Sequence, residues 1–145
     1  MALRASYQDD VLTTIGIEVY LKTGSATGDG TAIAGAYSFG DLGADANELD
    51  ATPLSASHAI KKPGLIDDPA WELQYYYNDA DYQAIEGMKG STITITVKFP
   101  NGTKFTNTAE LASNYPTGAS VGGIQAAKAS FTLGNANGWT RTTGA

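Results

Sequence analysis

Apolar and polar residues alternate along much of this chain, and a period of two marks a half-buried β-strand. In "TTIGIEVYLK" Ile15, Ile17, Val19 and Leu21 share one face, with Gly16, Glu18, Tyr20 and Lys22 on the other. "TAIAGAYSF" sets Ile33, Gly35, Tyr37 and Phe39 against small alanines and predicts a second strand. "WELQYYY" sets Trp71, Leu73, Tyr75 and Tyr77 against Glu72, Gln74 and Tyr76. The cleanest alternation is "STITITVKF", where Ile93, Ile95, Val97 and Phe99 oppose Thr92, Thr94, Thr96 and Lys98. Asn101-Gly102 then supplies a hairpin turn. "TKFTNTAEL" returns from it, and "QAAKASFTL" gives a last strand after the Gly-rich "PTGASVGG".

Two regions break the alternation. Residues 40–69 hold turn residues and scattered apolar ones: Leu42, Leu49, Leu54, Ile60, Leu65 and Ile66. A loop this long in one domain is usually functional, and the pattern predicts a binding arm with short strands near "NELDATPL" and "SHAIK". "NDADYQAIEG" predicts a helix. Asn78 is placed to cap it, and Asp79 and Asp81 occupy its first turn, where the helix dipole favours acids. Asp81 stands at the third helical position, an Asp version of the capping box. Tyr77 and Tyr82 have the spacing of a hydrophobic staple, and Gly87 is expected to end the helix in a left-handed conformation.

With 145 residues, 42% of them hydrophobic, one domain with one core is expected over 1–145. Its extensions are an N-terminal arm at 1–13, the long loop at 40–69 and a C-terminal tail at 134–145. Several short strands and one helix predict a mainly β protein, a sandwich of two antiparallel sheets with one flanking short α-helix. The net charge of −6 argues against duplex DNA as an attractive ligand, because phosphate binding needs Lys and Arg. Without cysteine, thiolate chemistry and cysteine-ligated metals are excluded. The N-terminal stretch carries no apolar signal-peptide core, and no apolar run approaches the roughly 20 residues of a membrane span. The chain therefore reads as soluble and made in the cytoplasm.

The residues hold little catalytic chemistry. Asp79 and Asp81 are two apart on a helix and do not face each other, so capping accounts for them. Asp67, Asp68 and Glu72 form a second acidic group in which nothing sets the separation that paired-carboxylate hydrolysis needs. His58 is the single histidine and has no second His for a metal site. "TGSATGDG" lacks the ending of a phosphate loop, and Asp29-Gly30 is too sparse for a calcium loop. No catalytic residue, metal or cofactor is expected. Lys61-Lys62, the one basic doublet, reads as an intersubunit contact, and alternation splits Tyr75 to Tyr77 between core and interface.

Three stretches in this order, "ELDATPLSASHAIKKPGLIDDP", "WELQYYYNDADYQAIEG" and "STITITVKFPNGTKFTNTAEL", resemble the major tail tube proteins of long-tailed, siphophage-like bacteriophages. The likeness runs from about Ile15 to Leu133, and "LGNANGWT" departs from the family's last strand. It implies a β-sandwich whose six copies form a ring, with rings stacked into a tube that conducts the genome and a tape-measure protein. It also implies tail initiator and terminator proteins as partners, and a place in the virion's tail after assembly in the host bacterial cytoplasm. Contacts between copies are then expected at Leu42, Leu49, Leu54, His58, Ile60, Lys61, Lys62 and Leu65. DNA would pass without specific binding along a negative or weakly polar lumen, for which Glu18, Glu72, Thr92, Thr94 and Thr96 are candidates. A related contractile-tail or secretion-type tube would share the architecture. The other class open to this sequence is a monomeric β-sandwich carbohydrate-binding or adhesion module, with Trp71 and the tyrosines as stacking surfaces.

Overall fold

The computed structural model describes residues 16–24, 28, 30–118, 121–134 and 138–143. The expected N-terminal arm at 1–13 and Ile15 lie outside these residues. Ten strands and one helix follow in the order β1 (Glu18–Thr23), β2 (Thr31–Ala32), β3 (Ala36–Phe39), β4 (Ala46–Asp50), β5 (Lys61–Ile66), β6 (Trp71–Tyr76), α1 (Asp79–Glu86), β7 (Thr92–Lys98), β8 (Lys104–Pro116), β9 (Ala126–Leu133) and β10 (Thr140–Thr142). The fold is mainly antiparallel β, with one large sheet, one small sheet and a single short helix among the described residues.

The large sheet runs β2-β1-β7-β8-β9-β6-β3, and β10 joins at β8. Strand β8 carries both halves of the sandwich. Its first part pairs with β7, from Lys98↔Lys104 to Thr92↔Glu110, and its second part pairs with β9, with a bulge between Leu111 and Ser113. A bulge bends a strand and raises its twist, which lets one strand serve two layers. The inward residues of the two halves meet in one core. Val19, Leu21, Ile93, Ile95 and Val97 come from the first half, and Trp71, Leu73, Tyr75, Ala127, Ala129 and Phe131 from the second.

The expected strand "TAIAGAYSF" is in fact two strands on opposite edges of the sheet. Thr31 and Ala32 pair with β1, while Ala36 to Phe39 pair with β6. The break falls at Gly35, whose carbonyl accepts from the Tyr76 amide at 2.8 Å and whose amide donates to Asp81 at 2.9 Å. A Cβ built on Gly35 would lie 2.8 Å from the Tyr76 oxygen and 3.0 Å from an Asp81 oxygen. Gly35→Ala should therefore lower stability by about 2 kcal/mol. A urea midpoint equal to wild type would show that the backbone yields there.

Helix α1 starts as its sequence predicts. The Asn78 side chain accepts from the Asp81 amide at 2.8 Å, and the Tyr77 and Tyr82 rings stand 5.6 Å apart. Asp81 does more than complete a cap. Its buried carboxylate takes Asn78 Nδ2 at 2.8 Å and the Gly35 amide at 2.9 Å, so the helix start is tied to the break between β2 and β3. The helix end differs from expectation. Gly87 is right-handed, at φ −66°. The chain makes further turns, closed by Met88 to Ile85 and Lys89 to Glu86 amide bonds, and the positive φ falls on Gly90 at +84°. Burial of Met88 keeps these turns folded onto the core.

Candidate functional site

The long loop forms a two-stranded arm of its own. β4 and β5 pair from Ala46↔Ile66 to Asp50↔Lys61 and join no strand of the large sheet. Apolar residues of the arm face outward: Leu49 of β4 is 56% exposed, Leu65 of β5 78%, and Leu54 in the connection between them fully. A hairpin cannot bury such residues within itself, so they are available to another surface. Ile60, His58, Lys61 and Lys62 are also exposed. Lys61 pairs with Glu48 at 3.3 Å, an exposed ion pair worth little on its own. Thr52, through its side chain and then its amide, holds the Asp50 carboxylate below the usual carboxylate range. Leu42 departs from the expected contacts, because it packs against the core just after β3 rather than standing out on the arm.

The expected lumen residues separate in space. Glu18, Thr92 and Thr94 lie on the outer face of the β1-β7-β8 half. Thr106, Thr108 and Thr140 extend that face through the register Thr96↔Thr106↔Thr140 and Thr94↔Thr108. Thr96 is only 3% exposed, a correction to its expected surface role. Its cross-strand neighbours are Tyr20 and Thr106, whereas the partly exposed Thr94 lies between Lys22 and Thr108. Glu72 is three strands away on β6, outside the other half of the sandwich, where it pairs with Lys128 at 3.5 Å. The outsides of two layers enclosing one core look in different directions, so Glu72 and the threonine face cannot line one channel together.

The threonine face also carries lysines, of which Lys22 and Lys98 follow from the alternation and Lys104 from the strand pairing. Lys98 and Lys104 stand directly opposite each other beside the Asn101-Gly102 turn, and Lys22 lies further along β1. Lys22 donates to the Gly28 carbonyl at 3.0 Å. The alternating threonine strand was the signal for this surface, and the hairpin register adds Lys104 opposite Lys98. On the opposite outer face, Tyr115 first and Glu72 next push the Lys128 ammonium upward, with the Lys128 nitrogen 5.6 Å from the Tyr115 ring centre.

The tyrosines also divide. Tyr76 stacks on Tyr37 at 4.4 Å on the surface, whereas Tyr75 is wholly buried and donates to Asn114 at 2.6 Å. Burial, the largest cause, pushes the Tyr75 hydroxyl up to about 12. A raised phenol contributes stability that is complete below its unfolded value near 10 and is lost as pH rises through its folded value. Tyr75→Phe should cost about 1 kcal/mol at neutral pH and flatten the fall in urea midpoint between pH 10 and 12. An unchanged slope would assign that fall to other groups.

No group of three or more His, Asp or Glu residues comes together to hold a metal ion among the described residues, and none of their helices is long and apolar enough to cross a membrane. Asp67, Asp68 and Glu72 form no such group, and Asp79 is engaged by the Tyr77 hydroxyl at 3.0 Å. A cleft of about 360 Å³ is lined by Ile17 and Val19 at β1 and by Ala36, Tyr37, Ser38 and Phe39 of β3. Among the described residues that line it, only Tyr37 carries a titratable group. What the described chain offers is a set of surfaces: an apolar-tipped arm, a threonine face and an open seam.

These features define an all-β sandwich carrying a projecting hairpin, and solved structures of that class share the fold. The chain is similar to the SPP1 tail tube at a TM-score of 0.71, with 18% identity over 93% of this chain and 80% of that one. It is similar to a chain of the sheath-tube complex of the PVC extracellular contractile injection system at 0.68, with 11% identity over 99% of each. A chain from the tail of the empty GTA particle, refined with C6 symmetry, matches at 0.65, with 13% identity over 93% of this chain and all of that one. No family model and no curated protein matches the sequence. The fold is thus that of tail-tube proteins, and it occurs in both contractile and tail-tube assemblies.

Proposed function

We propose that this protein is a structural subunit of a bacteriophage-type tail tube, in which six copies form a ring and rings stack around a lumen. The observation that carries this reading is the arm. It exposes Leu49, Leu54 and Leu65, adds nothing to the protomer's own core, and belongs to a fold shared with tube-forming chains. Such a surface gains free energy only when a second surface covers it, at about 25 cal/mol for each Å² of apolar area removed from water. A head-to-tail contact of this kind repeats without limit unless it closes into a ring. In the assembled tube the threonine face around Glu18, Thr92 and Thr94 lines the lumen. The hydroxyls offer passing phosphates no charge and Glu18 repels them, so the lysines on this face are the groups that would slow DNA. The role is mechanical and needs no cofactor; the subunit's other partners are a tape-measure protein and the proteins that start and end the tube, within the virion's tail.

The test is negative-stain electron microscopy of the purified protein across a concentration series. Hollow tubes or stacked rings are expected. A protein that stays monomeric at every concentration, and remains so when seeded with tail initiator, would overturn the reading.

A further inference from the structure

We infer that the outer face of β6 is a binding site for a neutral oligosaccharide, with Tyr76 as the ring on which a pyranose stacks. Binding itself is independent of the tube reading; only its place on the outside of a tube rests on that reading. Tyr76, Gln74 and Glu72 are alternate residues of β6 and point away from the core, whereas Trp71, Leu73 and Tyr75 point into it. Strand geometry spreads the three over roughly 13 Å, the length of two or three linked pyranoses. The bulge in β3 between Ala36 and Ser38 completes the face. An extra residue in a strand re-aims the side chains around it. Here Tyr37, the extra residue, stacks on Tyr76 at 4.4 Å, and the exposed Ser38 stands opposite Gln74.

A pyranose presents a face of C–H groups and a rim of hydroxyls, so it is held by an open aromatic face beside groups that donate and accept hydrogen bonds. Tyr37 covers one face of the Tyr76 ring and holds it in place. On its other side the cross-strand neighbour of Tyr76 is Ala126, whose methyl group is too small to cover a ring, and Tyr76 is 46% exposed. Next along the strand, a shallow cleft of about 100 Å³ is lined by Ser38, Phe39, Gly40, Glu72 and Gln74. It brings together a hydroxyl, an amide and a carboxylate, which between them can donate to and accept from neighbouring sugar hydroxyls. Lys128, opposite Gln74 on β9, reaches Glu72 at 3.5 Å. That contact steadies the carboxylate and leaves it further acceptor positions. The Glu72 charge disfavours phosphates and acidic sugars, which makes the ligand neutral. Because the face is shallow, one site should bind with a Kd of about 1–10 mM. Stacked rings would repeat the site on every copy, and such repetition raises avidity by about 10²–10⁴.

The experiment titrates the isotope-labelled protein with cellobiose, maltose, lactose and diacetylchitobiose, each to about 50 mM, and follows the backbone amide signals by NMR. At least one of these disaccharides should give saturable shifts at Gln74, Tyr76 and Lys128 with a millimolar Kd. Tyr76→Ala should weaken that binding by about tenfold or more, and Glu72→Gln by about threefold. Both side chains are exposed, so the other amide signals of each variant should match wild type. Gln74→Ala, which should also weaken binding by about threefold, replaces either variant that loses its native spectrum. Saturable shifts from none of the four sugars, or an unchanged Kd in Tyr76→Ala, would overturn the assignment and leave the tube reading intact. Saturable binding by a protein that forms no tubes would support the site and overturn the tube reading alone.

Discussion

Replacing Trp71 with alanine is expected to remove about 4 kcal/mol of stability. Single domains hold only about 5–15 kcal/mol in total, so the variant should be partly unfolded at modest urea. Trp71 is 1% exposed and occupies the centre of an aromatic cluster. Its ring lies 5.9 Å from Phe39, 5.9 Å from Phe131 and 5.6 Å from Trp139. Its indole nitrogen donates to the Gly40 carbonyl at 3.1 Å. The substitution therefore removes the link among β3, β9 and the residue before β10, and leaves a cavity among the Phe39, Phe131 and Trp139 rings. Trp139→Ala is the control. Trp139 is only half-buried and should cost less than half as much. Equal midpoints for the two variants would show that the cluster has no centre.

Excision of residues 46–66, with Asp45 joined to Asp67 through a short Gly-Ser linker, should do the reverse. Stability should stay within about 0.5 kcal/mol of wild type, while tube formation is lost. The arm contributes no residue to the buried core, and Ala46 pairs with Ile66, so the ends left by the excision are already close. Loop closure of a shorter segment costs the folded state little. Loss of assembly with an unchanged melt would assign the arm to contacts between copies. Normal tubes from the excised protein would remove the arm from the assembly mechanism, and a collapsed melt would mean that Leu42 and its neighbours need the arm to hold the β3 to β6 connection in place.

The contrast between this substitution and this excision follows the contrast between what is local and what is not. Period-two alternation is enforced by the pleat itself, so Val19, Leu21, Leu73, Tyr75, Ile93, Ile95 and Val97 were identifiable as core residues from sequence, and all are buried. The cap at Asn78 and the turn at Asn101-Gly102 are set within a few residues by side-chain hydrogen bonds to nearby amides, and both are present. Leu49, Leu54 and Leu65 read as arm residues because nothing near them in sequence could bury them, and they are exposed.

What the tertiary structure alone decided depends on partners distant in the chain. Alternation runs unbroken through "TAIAGAYSF", yet Gly35 divides it, because Tyr76 and Asp81, some forty residues later, bond to its backbone. Gly87 had the local features of a left-handed cap, but burial of Met88 carried the turn on to Gly90. Thr96 was indistinguishable from Thr92 and Thr94 by pattern, and its burial goes with Tyr20 and Thr106 as cross-strand neighbours where Thr94 has Lys22 and Thr108. Glu72 and Glu18 are both polar-face acids in sequence, and the bend of β8 sends them to opposite sides of the core. A sequence fixes which face of a strand is wet through short-range sterics and hydrophobicity. Which surface each wet face looks toward depends on how the strands are ordered and where they bend, and that is settled by contacts between residues the chain itself keeps far apart.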